Sequence, residues 1–227
     1  MFGSRRVAPD PGVEALVNAY AKRLDKELDV VIGRTDVPLE AHGAKLRTQE
    51  TNIGDFVADL MRERMASDLA LLNGGAIRTN RTVPAGPLTK RDVHSLLPFT
   101  NVVLKLEMSG GDLRRALERG LAQTDREGGG FLQVSGIRLA WDPRRPAGRR
   151  LVSAEVGGKP LAAEALYTVA VPGYLWRGGD GFTEFAGAKV LVGDENGPNL
   201  TQLVLDAIAH RNAIAPQPDG RLRAVGE

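Results

Sequence analysis

The chain has 227 residues, enough for one or two domains with a real core. Hydrophobic residues make up 42% and charged residues 26%, an ordinary globular balance, and a formal charge of +2 from 30 basic and 28 acidic side chains gives no electrostatic case for nucleic acid. The absence of cysteine excludes disulfides, thiolate zinc sites and cysteine nucleophiles, and no run approaches the roughly 20 apolar residues needed to cross a bilayer.

Met1 to Arg6 carries positive charge with no apolar stretch behind it, so it is not a signal peptide, and residues 1–8 read as a flexible start or a cloning scar. Asp10 followed by Pro11 is a good helix start, with Asp as N-cap and Pro at the first helical position. Val13, Leu16, Val17, Tyr20, Leu24 and Leu28 then share one helical face. A short apolar run, Val30 to Ile32 with Gly33, suggests a strand, and Pro38 to Gly43 a loop.

Thr51 or Asn52 caps a second helix whose inner face is Ile53, Phe56, Val57, Leu60 and Met61. Leu69 to Leu72 has the length and apolarity of a buried strand. Thr89 with Asp92 forms a capping-box start for a short helix that must stop before Pro98. Alternation along Val102 to Met108 marks a half-buried strand, and Ser109 with Asp112 starts a helix continuing through Leu113, Ala116, Leu117 and Leu121. After Gly128-Gly129-Gly130 come three strand candidates: Val134 to Trp141, Leu151 to Val156 and Tyr167 to Val171, with Gly157-Gly158 as a hairpin turn. Asn199 to His210 reads as the last helix, followed by a loose tail. Helices and strands mix without strict alternation, which predicts an α+β domain behind a helical connector.

Four places offer ligand chemistry. Arg47 and Glu50 are either an exposed ion pair or a guanidinium fork for phosphate or ribose, fixed by the carboxylate. In Asn73-Gly74-Gly75-Ala76-Ile77-Arg78, the glycines permit unusual backbone and close approach, Asn73 offers donor and acceptor, and Arg78 a permanent charge. Pro98-Phe99-Thr100-Asn101 presents one aromatic ring. Tyr174 precedes Gly178-Gly179-Asp180-Gly181-Phe182, a turn without the alternating acids of an EF-hand. The run Arg144, Arg145, Arg149 and Arg150 reads as a solvated turn. The three histidines, His42, His94 and His210, have no metal-ligand spacing, and no GxSxG, HExxH or paired-carboxylate motif occurs. Ligand-binding material is present without a catalytic engine.

Taken together, Arg47-Thr-Gln-Glu50-Thr-Asn-Ile-Gly54-Asp-Phe, Leu72-Asn73-Gly-Gly-Ala-Ile-Arg78, Leu97-Pro98-Phe99, Gly130-Phe131-Leu132-Gln133-Val134-Ser135-Gly136 and Gly178-Gly179-Asp180-Gly181-Phe182 resemble the C-terminal domain of the 5'-nucleotidases. That group includes ecto-5'-nucleotidase and bacterial UDP-sugar hydrolases, and the resemblance runs from about Pro9 to the last helix. It implies the division 9–33 interdomain-type helix, 34–215 nucleotide-binding domain and 216–227 tail. It also implies that Phe99 and Tyr174 sandwich a base, Tyr174 standing where the family often has Phe. Asn73 would face the base beside the Gly75 main chain, Asp180 the ribose hydroxyls, and Arg47 and Arg78 the phosphate. The family's chemistry belongs to a two-metal metallophosphoesterase domain with a GNH[DE] motif, placed before this region and absent from this sequence. The expectation is therefore a substrate-binding domain with no catalytic or metal-binding residues of its own. Its partners would be a nucleoside or nucleotide and the missing half, and the resemblance implies a periplasmic or secreted setting. The alternatives are a free-standing nucleotide-binding module, or a domain that keeps the fold and has lost the ligand.

Overall fold

The computed structural model describes residues 10–226, so the expected flexible start at 1–8 lies outside the described residues. The first half of the chain contains α1 (Pro11–Leu28), β1 (Val31–Thr35), β2 (Leu39–Glu40), α2 (Gly43–Leu46), α3 (Asn52–Met65), β3 (Leu69–Asn73), β4 (Thr82–Val83), β5 (Gly86–Thr89), α4 (Lys90–Leu96), β6 (Val103–Ser109) and α5 (Gly110–Leu121). The second half adds β7 (Leu132–Ser135), β8 (Ile137–Trp141), β9 (Leu151–Val156), β10 (Lys159–Pro160), β11 (Leu166–Pro172), α6 (Gly173–Trp176), β12 (Lys189–Val192), α7 (Leu200–Arg211), β13 (Ala213–Ile214) and β14 (Leu222–Ala224). This is a mixed α/β domain.

Its spine is a five-stranded sheet in the order β12-β6-β11-β3-β7, with β11 and β3 parallel and the other neighbours antiparallel. β3 is buried along its whole length because both faces of the sheet are covered. Ala70 and Leu72 join a core with Phe56, Val57, Leu60 and Met61 of α3, Val93 and Leu96 of α4, and Val204 and Ile208 of α7. Leu69 and Leu71 face the other way, into a core with Leu113 and Leu117 of α5, Trp141 of β8, Phe182 and Phe185. A second sheet, β10-β9-β8-β14, closes that side.

Helix starts follow the expected chemistry. Asp10 accepts from the Gly12 and Val13 amides, Thr51 from Gly54, Ser109 from Asp112 and Asn199 from Gln202. Thr89 and Asp92 form a reciprocal capping box at α4. Thr89→Ala should cost about 1 kcal/mol of unfolding free energy in urea titration. Unchanged stability would show that the box contributes nothing.

Three expectations change. The single strand expected over Val134 to Trp141 is two strands in different sheets, broken at Gly136, whose φ is +75°. A Cβ there would lie 2.1 Å from the Asp68 carbonyl oxygen, so only glycine makes the corner. The tail is tied down rather than loose: β14 pairs in parallel with β8, and the Glu50 carboxylate accepts from the backbone amides of Asp219, Gly220 and Leu222. The arginine run is not wholly solvated, since Arg150 is buried. It donates to both oxygens of Asp125, to the Leu121 carbonyl and to Thr124 Oγ1.

α1 buries none of its residues. The predicted apolar face is present and bare: Val13, Leu16, Val17, Tyr20 and Leu24 are all more than half exposed. The foot of the helix is tied to α4 through Arg91, which reaches Asp25 and Asp29 at 2.6 Å each.

Candidate functional site

Arg47, Asn73, Gly75, Arg78, Phe99, Tyr174 and Asp180 all line one cleft of about 420 Å³. Ala76, Asn101 and Gly129 complete its wall. The segments meet because β3 and β11 are adjacent parallel strands that end on the same side of the sheet, a usual place for a ligand crevice. Asn73 ends β3, and a 3-10 turn over Gly74–Ala76 follows directly. β11 runs into the short α6 that carries Tyr174, and the left-handed turn at Asp180 comes six residues later.

The paired glycines serve close packing, not unusual torsion. Gly74 and Gly75 lie outside the positive-φ set, but a Cβ on Gly74 would stand 2.2 Å from the Leu46 carbonyl oxygen. One on Gly75 would meet Gly129, whose carbonyl accepts the Gly75 amide at 2.8 Å. The triple-glycine break thereby becomes part of the cleft wall.

Polar groups at one end form a small network around Asp180. Its Oδ2 accepts from Asn73 Nδ2 at 3.0 Å, and its Oδ1 lies 3.1 Å from the Tyr174 hydroxyl. The Asp180 amide donates to that same hydroxyl at 3.2 Å, and Gln123 Nε2 donates to the Asp180 carbonyl at 2.8 Å. Burial and the neighbouring Asp180 carboxylate push the Tyr174 phenol above its ordinary pKa, so it stays a donor. Gln123, which the sequence reading missed, holds the Asp180 turn; local pattern cannot reveal a bond across 57 positions.

Two buried polar atoms in this lining have no hydrogen-bond partner among the described residues: Asn73 Oδ1 and Arg47 Nε. Such atoms are costly unless something else satisfies them. Arg47 does not pair with Glu50 as one sequence reading had it; its Nη1 donates to the Glu127 carbonyl, while Glu50 holds the C-terminal segment. Phe99 and Tyr174 are 43% and 42% exposed, unusual for rings in a protein whose other phenylalanines are buried or lie outside the described residues. The Arg78 guanidinium lies over the Phe99 ring, 5.2 Å from its centroid. Among the described residues no three of His, Asp and Glu converge as a metal site.

Comparison with known proteins bears directly on this arrangement. Residues 31–187 match the sequence profile of the 5'-nucleotidase C-terminal domain. The chain belongs to that family. It is 28% identical over 230 residues to the trifunctional nucleotide phosphoesterase YfkN of Bacillus subtilis, covering 95% of this chain and 15% of that protein. It is 27% identical to the 5'-nucleotidase of Bos taurus, covering 96% of this chain and 41% of that protein. Among solved structures, the 5'-nucleotidase precursor of Thermus thermophilus superposes with a TM-score of 0.87 at 33% identity, covering 97% of this chain and 44% of that one. This 5'-nucleotidase C-terminal domain thus spans less than half the length of these relatives, all named as nucleotide hydrolases.

Proposed function

We propose that the chain is the nucleotide-binding, specificity-setting half of a 5'-nucleotidase-type phosphohydrolase, and that a metal-bearing N-terminal half supplies the chemistry. The observation that carries this reading is the convergence of residues from five separated segments on one cleft with two exposed rings and two unpartnered buried polar atoms. Phe99 and Tyr174 hold the base between aromatic faces, and Asn73 Oδ1 accepts from its edge. Asp180, braced by Tyr174 and Asn73, keeps lone pairs for the ribose hydroxyls. Arg47 and Arg78 turn their forks toward the phosphate.

Nothing in this set can activate water. The described residues offer no ligand cluster for a metal pair, so that pair belongs to the other half, where it would generate the nucleophile and clamp the phosphate oxygens. α1 serves as the connector at 9–33, and its bare apolar face is the surface that half covers.

Calorimetric titration of this chain with adenosine and AMP tests the binding role. Base–aromatic stacking contributes about 1–3 kcal/mol, so Phe99→Ala should weaken both ligands by roughly 5- to 150-fold while leaving thermal stability unchanged. Equal binding by both proteins, or no saturable binding by either at millimolar ligand, would overturn the assignment.

A further inference from the structure

A second concavity of about 770 Å³ adjoins the cleft, and Asp180 belongs to the linings of both. Six arginines line it against three carboxylates. All three carboxylates are already engaged: Asp180 in the cleft, Glu184 with Arg119, and Glu118 with the backbone amides of Arg150 and Leu151. Arg115 is paired with Asp112, and Arg145 lies 3.8 Å from Asp142. Arg114, Arg126 and Arg149 remain, exposed and without a side-chain hydrogen bond or ion pair among the described residues.

The wall that bears two of them is built, not incidental. Arg150 bonds to Leu121, Thr124 and Asp125, which fastens the 144–150 loop against the segment after α5. That clamp sets Arg149 and Arg126 on the same groove. Unpaired guanidinium groups gathered in a shared concavity suit an anion, since each fork can donate to two phosphate oxygens.

We infer that this groove receives a second phosphoryl group carried on the ribose edge of a nucleotide, remote from the phosphate that is hydrolysed. The inference rests on the nucleotide-binding reading above. A nucleoside stacked between Phe99 and Tyr174 presents its sugar hydroxyls to Asp180, and Asp180 is where the cleft passes into the arginine groove. A phosphoryl group on the 3'-oxygen enters that groove, while the 2'-hydroxyl remains for the Asp180 carboxylate. The ligand class is a nucleotide phosphorylated on its sugar edge, either with a terminal phosphate there or with a further nucleotide attached through it.

The test is titration of this chain with adenosine, 5'-AMP, 3'-AMP and the dinucleotide ApA, comparing wild type with the double variant Arg126→Gln/Arg149→Gln. Both side chains are exposed and unpaired, so folding is not at issue. The expected result is 3'-AMP binding at least about tenfold more tightly than adenosine, with the gain lost in the variant and in high salt while adenosine affinity stays constant. A similar gain for ApA identifies a continuing strand as the source, and a gain for 3'-AMP alone identifies a terminal phosphate. Equal affinity for adenosine and 3'-AMP would overturn the inference and leave the cleft reading standing. If adenosine itself does not bind, the cleft reading fails and this inference goes with it.

Discussion

Gln133→Leu should destabilise the domain by roughly 3 kcal/mol or more in urea unfolding, at about 1–3 kcal/mol for each buried polar group left without a partner. Gln133 is fully buried, and its amide uses its whole hydrogen-bonding capacity. Oε1 accepts from the Thr51 amide at 3.1 Å and from Thr51 Oγ1 at 3.3 Å, and Nε2 donates to the carbonyls of Leu46 and Gln49 at 3.0 and 2.7 Å. Leucine fills similar space and satisfies none of these four bonds. The loop so held carries Arg47, so AMP affinity should fall along with stability. Gly54→Ala attacks the same contact from α3, because a Cβ there would stand 2.2 Å from Oε1. A loss below about 1 kcal/mol in Gln133→Leu would mean that the loop satisfies its backbone in another way.

The second large effect is a pH dependence centred on Asp55. This carboxyl is 2% exposed, and neither oxygen has a hydrogen-bond partner among the described residues. Burial pushes its pKa from 3.8 up to about 8, against the pull of Arg221 at 3.6 Å and with the help of the nearby Glu50 and Asp219 carboxylates. Arg221 is mainly committed elsewhere, to Asp59 at 2.7 Å and Asp219 at 3.1 Å. Between pH 4 and 8 the folded state therefore keeps a proton that the unfolded chain has released. This contribution is complete below the unfolded value near 3.8 and is lost as the pH rises through about 8. Asp55→Asn removes the ionisation, so its advantage over wild type should grow with pH, by at most about 1.4 kcal/mol per pH unit for one proton. Denaturation of both proteins from pH 5 to 8 checks this. A constant difference across that range would place Asp55 among the ionised partners of Arg221.

What could be read from the sequence was local or followed one period. The caps at Asp10, Thr89 and Ser109 depend on neighbours two or three residues away and were visible, Thr51 was one of two candidates, and Asn199 was read only as the start of the last helix. The same holds for the inner faces of α3 and α5 and for the short apolar run of β3. The seven candidate site residues were chosen for their chemistry and through the family resemblance, and they share one cleft. What escaped were features that depend on distant partners. Gln123 reaches Asp180 across 57 positions, and Arg150 is buried by a segment 25 or more residues earlier. Gly136 ended a strand because Asp68 lies against it, and the tail was held by Glu50. The apolar stripe of α1 was legible, but its bareness was not, since periodicity reports a face and not what covers it.

The Glu50 anchorage also bears on how the domain reaches its fold. Its bonds to Asp219, Gly220 and Leu222, and that of Asn52 to the Pro216 carbonyl, join residues 164 to 172 positions apart. β1 pairs with β13 over a still longer span, Arg34 with Ala213 and Thr35 with Ile214. Loops of that length close slowly, and the entropy is lost before the contacts form. A nascent chain on the ribosome can build α3, α5 and the central strands early, but it cannot satisfy Glu50 until Leu222 has emerged. Native closure is thus a late event in the domain's synthesis, and a chain stopped at Ala215 should remain open and vulnerable to proteases.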